Sequence, residues 1–493
     1  MTRLLPTPRP VAYPCVHALI PTRGAPVTQL RTADDVLGES GVAVLLPGTP
    51  GYEAARRLWN GMIDRRPRMI LQPRDVDGVA AAVRFAREVD LPIAVKCGGH
   101  SAPGYSVCDD DGLVVDLSAM SAVSVDAAAK RATVQGGALL RGLDEATAPH
   151  GLVVPAGAIS HTGAGGLILG GGFGNLMRKF GLTIDSLESV QMVLADGQVV
   201  EASETENADL FWAVRGGSGN FGIVTEFRLR CHDFGPDVYV AASIVELEHA
   251  EEALRVWRSV MGDDDVPDDL SWISLFRGAP EGPGFEWVPD RLRGVPVLLM
   301  PLFWAGDVTE GERVIGELVG RLPTAAVVAG VVPWVASQQQ MDHVFVHGRR
   351  HYAKAGFLDE LPDDLLTALV ECAATMPHPS CQFEVLRLGG AVARVGQDAT
   401  AFPHRQARWP MNIIGLWDDV AADDESIGWV RRVYEVFRPH LSGGSYVNFA
   451  GGDEDGGTSA VYGGTWERLV DLKETYDPDN VFRFNANLAR SRA

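Results

Sequence analysis

The sequence contains few cysteines and few positive charges for its length. Its 43 lysines and arginines stand against 64 aspartates and glutamates, which gives a net charge of −21. Nucleic acids and anionic membranes are bound by basic patches, so neither is an expected partner. No CxxC pair occurs among the six cysteines, which favours reduced thiols over a disulfide framework or a zinc site; they occupy positions 15, 97, 108, 231, 372 and 381.

Long hydrophobic runs are also missing. No uninterrupted apolar run reaches the roughly 18 residues that predict a membrane span. The opening MTRLLPTPRPVAYPC carries Pro6, Pro8 and Pro10 where a signal peptide has a continuous apolar core. These absences favour a soluble, cytoplasmic protein.

The composition that remains is that of a globular protein, with 46% hydrophobic and 22% charged residues in 493. Such a length predicts two or three lobes. MILQP from Met69 predicts a strand, the apolar spacing from Val76 to Val83 predicts a helix, and PIAV from Pro92 predicts a second strand. This β-α-β unit ends in a glycine-rich loop. After about residue 236 the glycine clusters become sparse, which indicates a separate lobe.

Three glycine clusters lie in the first lobe. They are GGHSAPGYS at residues 98–106, PAGAISHTGAGGLILGGGFG at residues 155–174 and RGGSGNFGIV at residues 215–224. Glycine allows sharp turns and lets backbone N–H groups approach phosphate oxygens. The clusters therefore predict one large, phosphate-bearing ligand lined mostly by backbone. GGGFG at residues 170–174 does not match GxGxxG, so a Rossmann mode of binding is not expected.

Four ordered blocks carry a resemblance to a known family. GGHSAPGYS, TGAGGLILGGGFGNLMRKFGLTIDSL, LFWAVRGGSGNFGIVTEF and the tail that contains YVNF and YGGTWERLVDLKETYDPDNVFRFNANL resemble the vanillyl-alcohol-oxidase (PCMH-type) FAD proteins. Within them, the sequence is similar to the berberine-bridge-enzyme-like branch that includes bacterial 6-hydroxynicotine oxidases. The resemblance extends from about residue 55 to about residue 490.

The resemblance implies an α+β fold of two lobes, with an FAD-binding lobe and an α/β substrate lobe. The expected divisions are an N-terminal extension at residues 1–39, an FAD-binding domain at 40–236, a substrate-binding domain at 237–439 and a C-terminal segment at 440–493 that returns to the FAD domain.

The resemblance also implies FAD with a single covalent link. In this family the histidine of GGH is bonded to the 8α-methyl group of FAD, and that residue is His100 here. Many relatives have a second tether, a cysteine, at the place of Ile159, which cannot form a thioether. His161 either faces the flavin or forms a loop hydrogen bond. The expected FAD-binding residues are Lys96, Gly98, Gly99, His100, Ser101, Gly104, Thr162, Gly163, Gly165, Gly166, Gly172, Ile223, Asn448, Asn485 and Asn487.

The catalytic base departs from the family pattern. Relatives use the last tyrosine of a YxNY motif, whereas this chain has Phe449 there. Tyr446, at the start of the motif, and His404, in AFPHR, are therefore the candidate catalytic residues. Strand alternation could instead turn Tyr446 away, and a substrate with an acidic proton would need no enzymic base.

The reaction that the resemblance implies is a two-electron oxidation of a small organic or natural-product substrate, with hydride transfer to the flavin and O2 as the acceptor that yields H2O2. Thr162 lies where relatives control oxygen access. Three alternatives stay open: a dehydrogenase with another acceptor, a redox-neutral cyclase of secondary metabolism, and a flavin-binding protein without activity.

A metal site is not predicted. His343, His347 and His351 recur at every fourth position in HVFVHGRRH. The glutamate of an HExxH motif is absent, and Gly348 interrupts any helix that would align the three rings.

Overall fold

The computed structural model describes residue 37, residues 40–453 and residues 455–490. Most of the predicted N-terminal extension and Cys15 therefore lie outside the described residues. Within the described ranges, no helix combines the length and the apolar character that a membrane crossing requires.

The predicted β-α-β unit forms part of a small mixed sheet. Its strands are β1 (Ala43–Leu45), β2 (Met69–Gln72), β3 (Ile93–Lys96) and β4 (Leu113–Asp116), in the spatial order β1-β2-β4-β3. The crossover helix spans Val76–Glu88 and begins where Asp75 accepts the N–H of Gly78 at 2.8 Å. Such an N-cap satisfies one of the free donors of the first turn. The C-terminal end of β3 leads directly into the first glycine cluster.

A second, antiparallel sheet belongs to the same first lobe, before residue 237. In chain order the next strands are β5 (Val123–Asp126), β6 (Arg131–Gln135), β7 (Leu152–Val153), β8 (Leu187–Val193), β9 (Val199–Ser203), β10 (Ile223–Arg230) and β11 (His232–Asp233). The sheet order is β5-β6-β10-β8-β9, while β7 pairs with β11. The hairpin of β8 and β9 turns at Gly197, whose φ of 81° suits glycine. In β10, Phe227 and Leu229 are buried while Arg228 and Arg230 are exposed, as the alternation predicts.

The third sheet has eight antiparallel strands, all between residues 237 and 417. They are β12 (Asp237–Glu246), β13 (Leu270–Trp272), β14 (Ser274–Gly278), β15 (Pro296–Trp304), β16 (Ala326–Pro333), β17 (Arg350–Leu358), β18 (Gln382–Val385) and β19 (Trp409–Trp417). The order is β16-β12-β15-β14-β18-β19-β17, with β13 also paired to β15. One face packs in an apolar core with helices Ala250–Met261, Val308–Val319, Asp363–Ala374 and Asp423–Phe437.

The C-terminal end of the chain packs against the first lobe. Helix Trp466–Tyr476 carries Lys473, whose buried ammonium donates to the carbonyls of Asn220 and Phe482 and to the carboxylate of Asp477. These bonds hold the tail beside the third glycine cluster. The other α-helices are Tyr52–Ala55, Leu140–Thr147, Ala164–Gly170, Met177–Phe180, Ala208–Val214, Trp334–Gln339, Ala391–Arg394 and Gly457–Tyr462.

Candidate active site

A cavity of about 1010 Å³ lies where the glycine clusters meet the large sheet. Backbone from the first and second glycine clusters lines one side. The opposite side is formed by alternate residues of β14, β18 and β19, the face turned away from the helices. This volume is at the upper end of ligand pockets in proteins, which suits a large cofactor together with a small substrate.

Eleven of the fifteen predicted FAD-binding residues line this cavity. They come from separate parts of the chain, which the fold brings together. They are Gly98, Gly99, His100, Ser101, Thr162, Gly163, Gly165, Gly166, Ile223, Asn448 and Asn485.

The packing of the glycines fits a bulky ligand held by backbone. A Cβ added at Gly98 would lie 2.3 Å from the backbone nitrogen of Gly163, and the reverse also holds, so the two loops press together. A Cβ added at Gly166 or Gly219 would meet nothing within 4 Å, because both face the open cavity. The Oδ1 atom of Asn485 is buried without a hydrogen-bond partner. A cradle of bare backbone with a free polar atom is suited to FAD.

Four predicted FAD-binding residues do not line the cavity, and their role in binding FAD stays a prediction. The ammonium of Lys96 donates to the carbonyl of Ala55 at 2.5 Å. Asn487 forms paired amide hydrogen bonds with Asn480.

The other two are glycines that neighbouring side chains require. A Cβ at Gly104 would lie 2.8 Å from the side chain of Ile63, and a Cβ at Gly172 would lie 1.9 Å from Oγ1 of Thr183. Both have positive φ, so glycine is required at these positions for backbone conformation and close packing.

His100 lies at the cavity wall among aromatic rings. Its ring stacks on Trp59 with centroids 5.1 Å apart, and its Nε2 is hydrogen-bonded to Nδ1 of His161 at 2.7 Å. Burial, with smaller effects from the neighbouring histidines, holds the pKa of His100 well below its usual value. The imidazole is therefore neutral at ordinary pH, which is the form that acts as a nucleophile. Of the two roles considered for His161, the structure shows a hydrogen bond, made to His100 itself.

The three histidines of HVFVHGRRH separate in the structure. His343 packs on Phe285, and His351 is buried in β17, where burial lowers its pKa to about 3. His347 instead approaches His100 and His161, and ring nitrogens of these three lie within 4.8 Å of one another. A covalent flavin on His100 would leave two imidazoles of this cluster for any metal ion.

Tyr446 borders the cavity, but its hydroxyl is turned to structural partners. Residues 446–449 form a turn, closed by the N–H of Phe449 and the carbonyl of Tyr446 at 2.8 Å, so the strand alternation considered for this motif does not apply. The hydroxyl accepts the N–H of Gly172 at 2.9 Å and the amide of Asn448 at 3.0 Å. Burial raises the pKa of Tyr446 to about 12. The geometry does not favour it as the base.

His404 does not line the cavity. Its Nε2 lies 3.1 Å from the carbonyl of Val461, and its ring stacks on Phe357 with centroids 4.2 Å apart. Burial lowers its pKa to about 4. These contacts show a packing role for His404 and do not favour it as a catalytic residue, an assignment that stays a prediction.

The acid–base group that the sequence analysis missed is Glu384. It lies in β18, lines the cavity, and sits directly opposite Asn412 of β19, whose amide is 3.5 Å from its Oε1. Burial raises the pKa of Glu384 to about 7. A cavity carboxyl that titrates near neutral pH is a suitable general base. A local signal was present, since Glu384 interrupts the otherwise uncharged strand QFEV.

Comparison with known proteins agrees with this arrangement. Residues 67–203 match the family described as FAD binding domain, and residues 445–489 match the one described as berberine and berberine like. An FAD-linked oxidoreductase of Dictyostelium discoideum is 30% identical over 450 residues, which cover 90% of this chain and 94% of that protein. (R)-6-hydroxynicotine oxidase of Paenarthrobacter nicotinovorans is 33% identical over 480 residues, covering 94% and 98%.

Among solved structures, BBE-like 1 of Physcomitrella patens superposes with a TM-score of 0.82 at 26% identity, covering 93% of this chain and all of that one. The α+β, two-lobed fold implied by the motifs is thereby confirmed, and so is FAD as the cofactor class. The chain belongs to the berberine-bridge-enzyme-like family of FAD-linked oxidoreductases and is an enzyme of that class.

Proposed function

We propose that this enzyme is an oxidase in which FAD is bonded to His100 and Glu384 removes the substrate's proton. In the oxidation of an alcohol or amine, one proton leaves oxygen or nitrogen and one hydride leaves carbon. FAD bound in the cavity would supply the hydride acceptor, and with O2 as the final acceptor the proton and the hydride lost by the substrate would appear in H2O2.

The observation that carries the proposal is the position of Glu384. Its carboxyl lines the cavity across from the glycine loops, and the amide of Asn412 provides a donor that fixes its orientation. A substrate between the sheet and the glycine loops has this carboxyl on one side. With Phe449 in place of the family tyrosine and Tyr446 bonded to Gly172, Glu384 is the base that the geometry favours.

The single covalent link is supported by the surroundings of His100. Its ring is held between Trp59 and His161, and the hydrogen bond to His161 occupies Nε2. Nδ1 is the ring nitrogen left for a bond to the cofactor. Ile159 lines the same cavity and has no nucleophilic atom.

Oxygen as the acceptor is supported by the oxidase relative and by an open approach. Thr162 lines the cavity and is flanked by Gly163, so no large side chain replaces it at this point of the wall. The family also contains members described only as oxidoreductases, so the acceptor needs a direct test.

Reoxidation tests the acceptor without any knowledge of the substrate. The FAD-loaded enzyme is reduced with light and EDTA, mixed with aerated buffer, and followed by flavin absorbance. We expect reoxidation within seconds and one equivalent of peroxide. A reduced spectrum that persists for many minutes would assign the enzyme to the dehydrogenases.

The base is tested with any compound that bleaches the flavin anaerobically. Glu384→Gln is nearly isosteric and should slow flavin reduction on the order of 10²–10⁴-fold. Its FAD content should equal that of the wild type, since Glu384 lies on the substrate side. Asn412→Ala is the matched variant, because it leaves the carboxyl in place and removes only its donor. Reduction by Glu384→Gln at the wild-type rate would exclude Glu384 as the base.

A further inference from the structure

A strip of polar side chains crosses the cavity face of the large sheet. In the strand register, Arg277 of β14 lies opposite Gln382 of β18, and Glu384 of β18 lies opposite Asn412 of β19. All four line the cavity. Glu384 was assigned above as the base, with Asn412 as its donor, which leaves Arg277 and Gln382 without a role.

Arg277 is a buried cation without a counter-ion. It is 8% exposed, and among the described residues it forms no ion pair; its one hydrogen bond runs from Nε to the carbonyl of Gly278 at 3.3 Å. Burial, with a smaller effect from Arg349, lowers its pKa to about 10, so the guanidinium is still charged near neutral pH. Removing a cation from water without a partner is costly.

Two other buried arginines of the described chain have strong acceptors for their guanidinium groups. Arg405 forms two hydrogen bonds of 2.7 Å with the carboxylate of Asp185. Arg178 donates to three backbone carbonyls, those of Val266, Leu270 and Leu388. The state of Arg277 is therefore a local feature of the cavity.

Gln382 shows the same lack of partners. It is 2% exposed, and within the described part of the chain its Oε1 is buried without a hydrogen-bond partner. Gln382 lies directly across from Arg277, so its amide, which carries an N–H donor as well as this oxygen, is next to the guanidinium. A guanidinium without a counter-ion, with a side-chain amide beside it in the cavity wall, forms a built site for an anionic group of a ligand.

We infer that the substrate carries a carboxylate, which Arg277 and Gln382 bind, and that the bond to be oxidised lies beside Glu384. The second half of this inference rests on the proposed function, whereas the first half concerns binding alone. The planar guanidinium fork matches a carboxylate, to which it can donate two parallel hydrogen bonds.

A carboxylate fits better than a phosphate because of the charge balance. Arg277 supplies one positive charge, and Glu384 lies on the same face, diagonal to it in the register, at a separation of roughly 7–8 Å. A phosphate dianion would leave an excess negative charge close to this carboxyl. The separation of Arg277 and Glu384 leaves room for an apolar or aromatic body between the carboxylate of the substrate and the bond to be oxidised. The rings of Phe285, Trp287 and Phe345 line the same cavity and suit such a body.

A pair of probes that differ only in charge tests the inference. 4-(Hydroxymethyl)benzoate and 4-(hydroxymethyl)benzamide are titrated into the FAD-loaded enzyme under nitrogen, and heats of binding are recorded. We expect the carboxylate to bind roughly tenfold or more tightly than the amide, as a charge-assisted bidentate contact implies. Arg277→Gln should remove this preference, and Arg277→Lys should retain part of it.

Arg349→Gln is the matched control. Arg349 also carries a charge near Arg277, but it is paired with Asp418 and does not line the cavity. Its loss should leave the carboxylate preference within about threefold of the wild type. The FAD content of each variant confirms that it has folded. Equal affinities of the two probes for the wild type, or an unchanged preference in Arg277→Gln, would overturn the inference.

These measurements do not depend on turnover. If the carboxylate preference is lost with Arg277 while Glu384→Gln reduces its flavin normally, only the assignment of the base fails. If Glu384→Gln is slow but the two probes bind alike, the carboxylate site is wrong and the proposed reaction is unaffected.

Discussion

The imidazoles of His100 and His161 are joined by a hydrogen bond of 2.7 Å between Nε2 of His100 and Nδ1 of His161. The far nitrogen of His161, Nε2, is buried and has no hydrogen-bond partner among the residues that the structure describes. His161 therefore orients the ring of His100. When Nδ1 of His100 forms a new bond, His161 can take up the proton from Nε2 of His100. This makes His161 a positioning residue for flavin attachment.

Replacing His161 by Phe should slow covalent attachment by ~10-fold or more, because the proton on His100 then has no nearby acceptor. Apoprotein is incubated with FAD, denatured in acid at timed intervals, and separated on a gel whose flavin fluorescence is read. His343→Phe serves as the control, since His343 packs on Phe285 away from His100. His100→Ala should show no fluorescent band. Equal attachment rates in wild type and His161→Phe would remove this role.

Flavin reduction should accelerate as the pH rises through about 7, the value to which burial raises the pKa of Glu384. A general base works only when deprotonated, so the rate is low below this pKa and reaches a plateau above it. Anaerobic stopped-flow traces at a series of pH values give the profile. Glu384→Gln should lack this inflection, and its persistence in that variant would assign the titration to another group.

Tyr446→Phe should change stability more than rate. The hydroxyl accepts the N–H of Gly172 and the amide of Asn448; the first donor would lose its acceptor, and the second would keep only the carbonyl of Leu167. We expect a loss of ~1–3 kcal/mol in the free energy of unfolding and flavin reduction within a few-fold of the wild type. Urea unfolding and stopped-flow reduction measure the two quantities. A hundredfold slower reduction would restore Tyr446 as the base.

Asp144→Asn should stabilise the protein at alkaline pH. Asp144 is buried in helix Leu140–Thr147, and burial raises its pKa from 3.8 to about 7. Between these values the folded state binds more protons than the unfolded state, so the contribution of Asp144 to stability falls as the pH rises through this window. The variant should gain ~1–4 kcal/mol at pH 8 and little at acidic pH. Equal gains in the free energy of unfolding at pH 8 and at acidic pH would show that the charge of Asp144 is not the cause.

Local patterns predicted the elements on which the site is built. The apolar spacing after Met69 predicted the β-α-β unit, because short-range periodicity determines its strands and its helix. The same patterns could not distinguish a glycine that faces a ligand from one that a neighbour requires. Gly166 and Gly172 look alike in sequence, but only Gly172 is opposed by Thr183.

The polar residues of the cavity depend on long-range register instead. Arg277, Glu384 and Asn412 become neighbours only when β14, β18 and β19 pair. Whether a buried arginine has a counter-ion is likewise decided by residues far away along the chain. Sequence reasoning found the cofactor side, whose motifs are contiguous, and missed the substrate side, whose residues are distributed over more than 130 positions.

The alternation along the three central strands has a consequence for the divergence of such enzymes. Phe276, Phe383 and Ile413 point into the helix-backed core, while the residues between them face the ligand. The residues that stabilise the fold and the residues that contact the ligand thus alternate along the same strands. Position 277 is one of the ligand-facing positions, so a substitution there changes the charge of the cavity wall while the core residues of the same strand are kept.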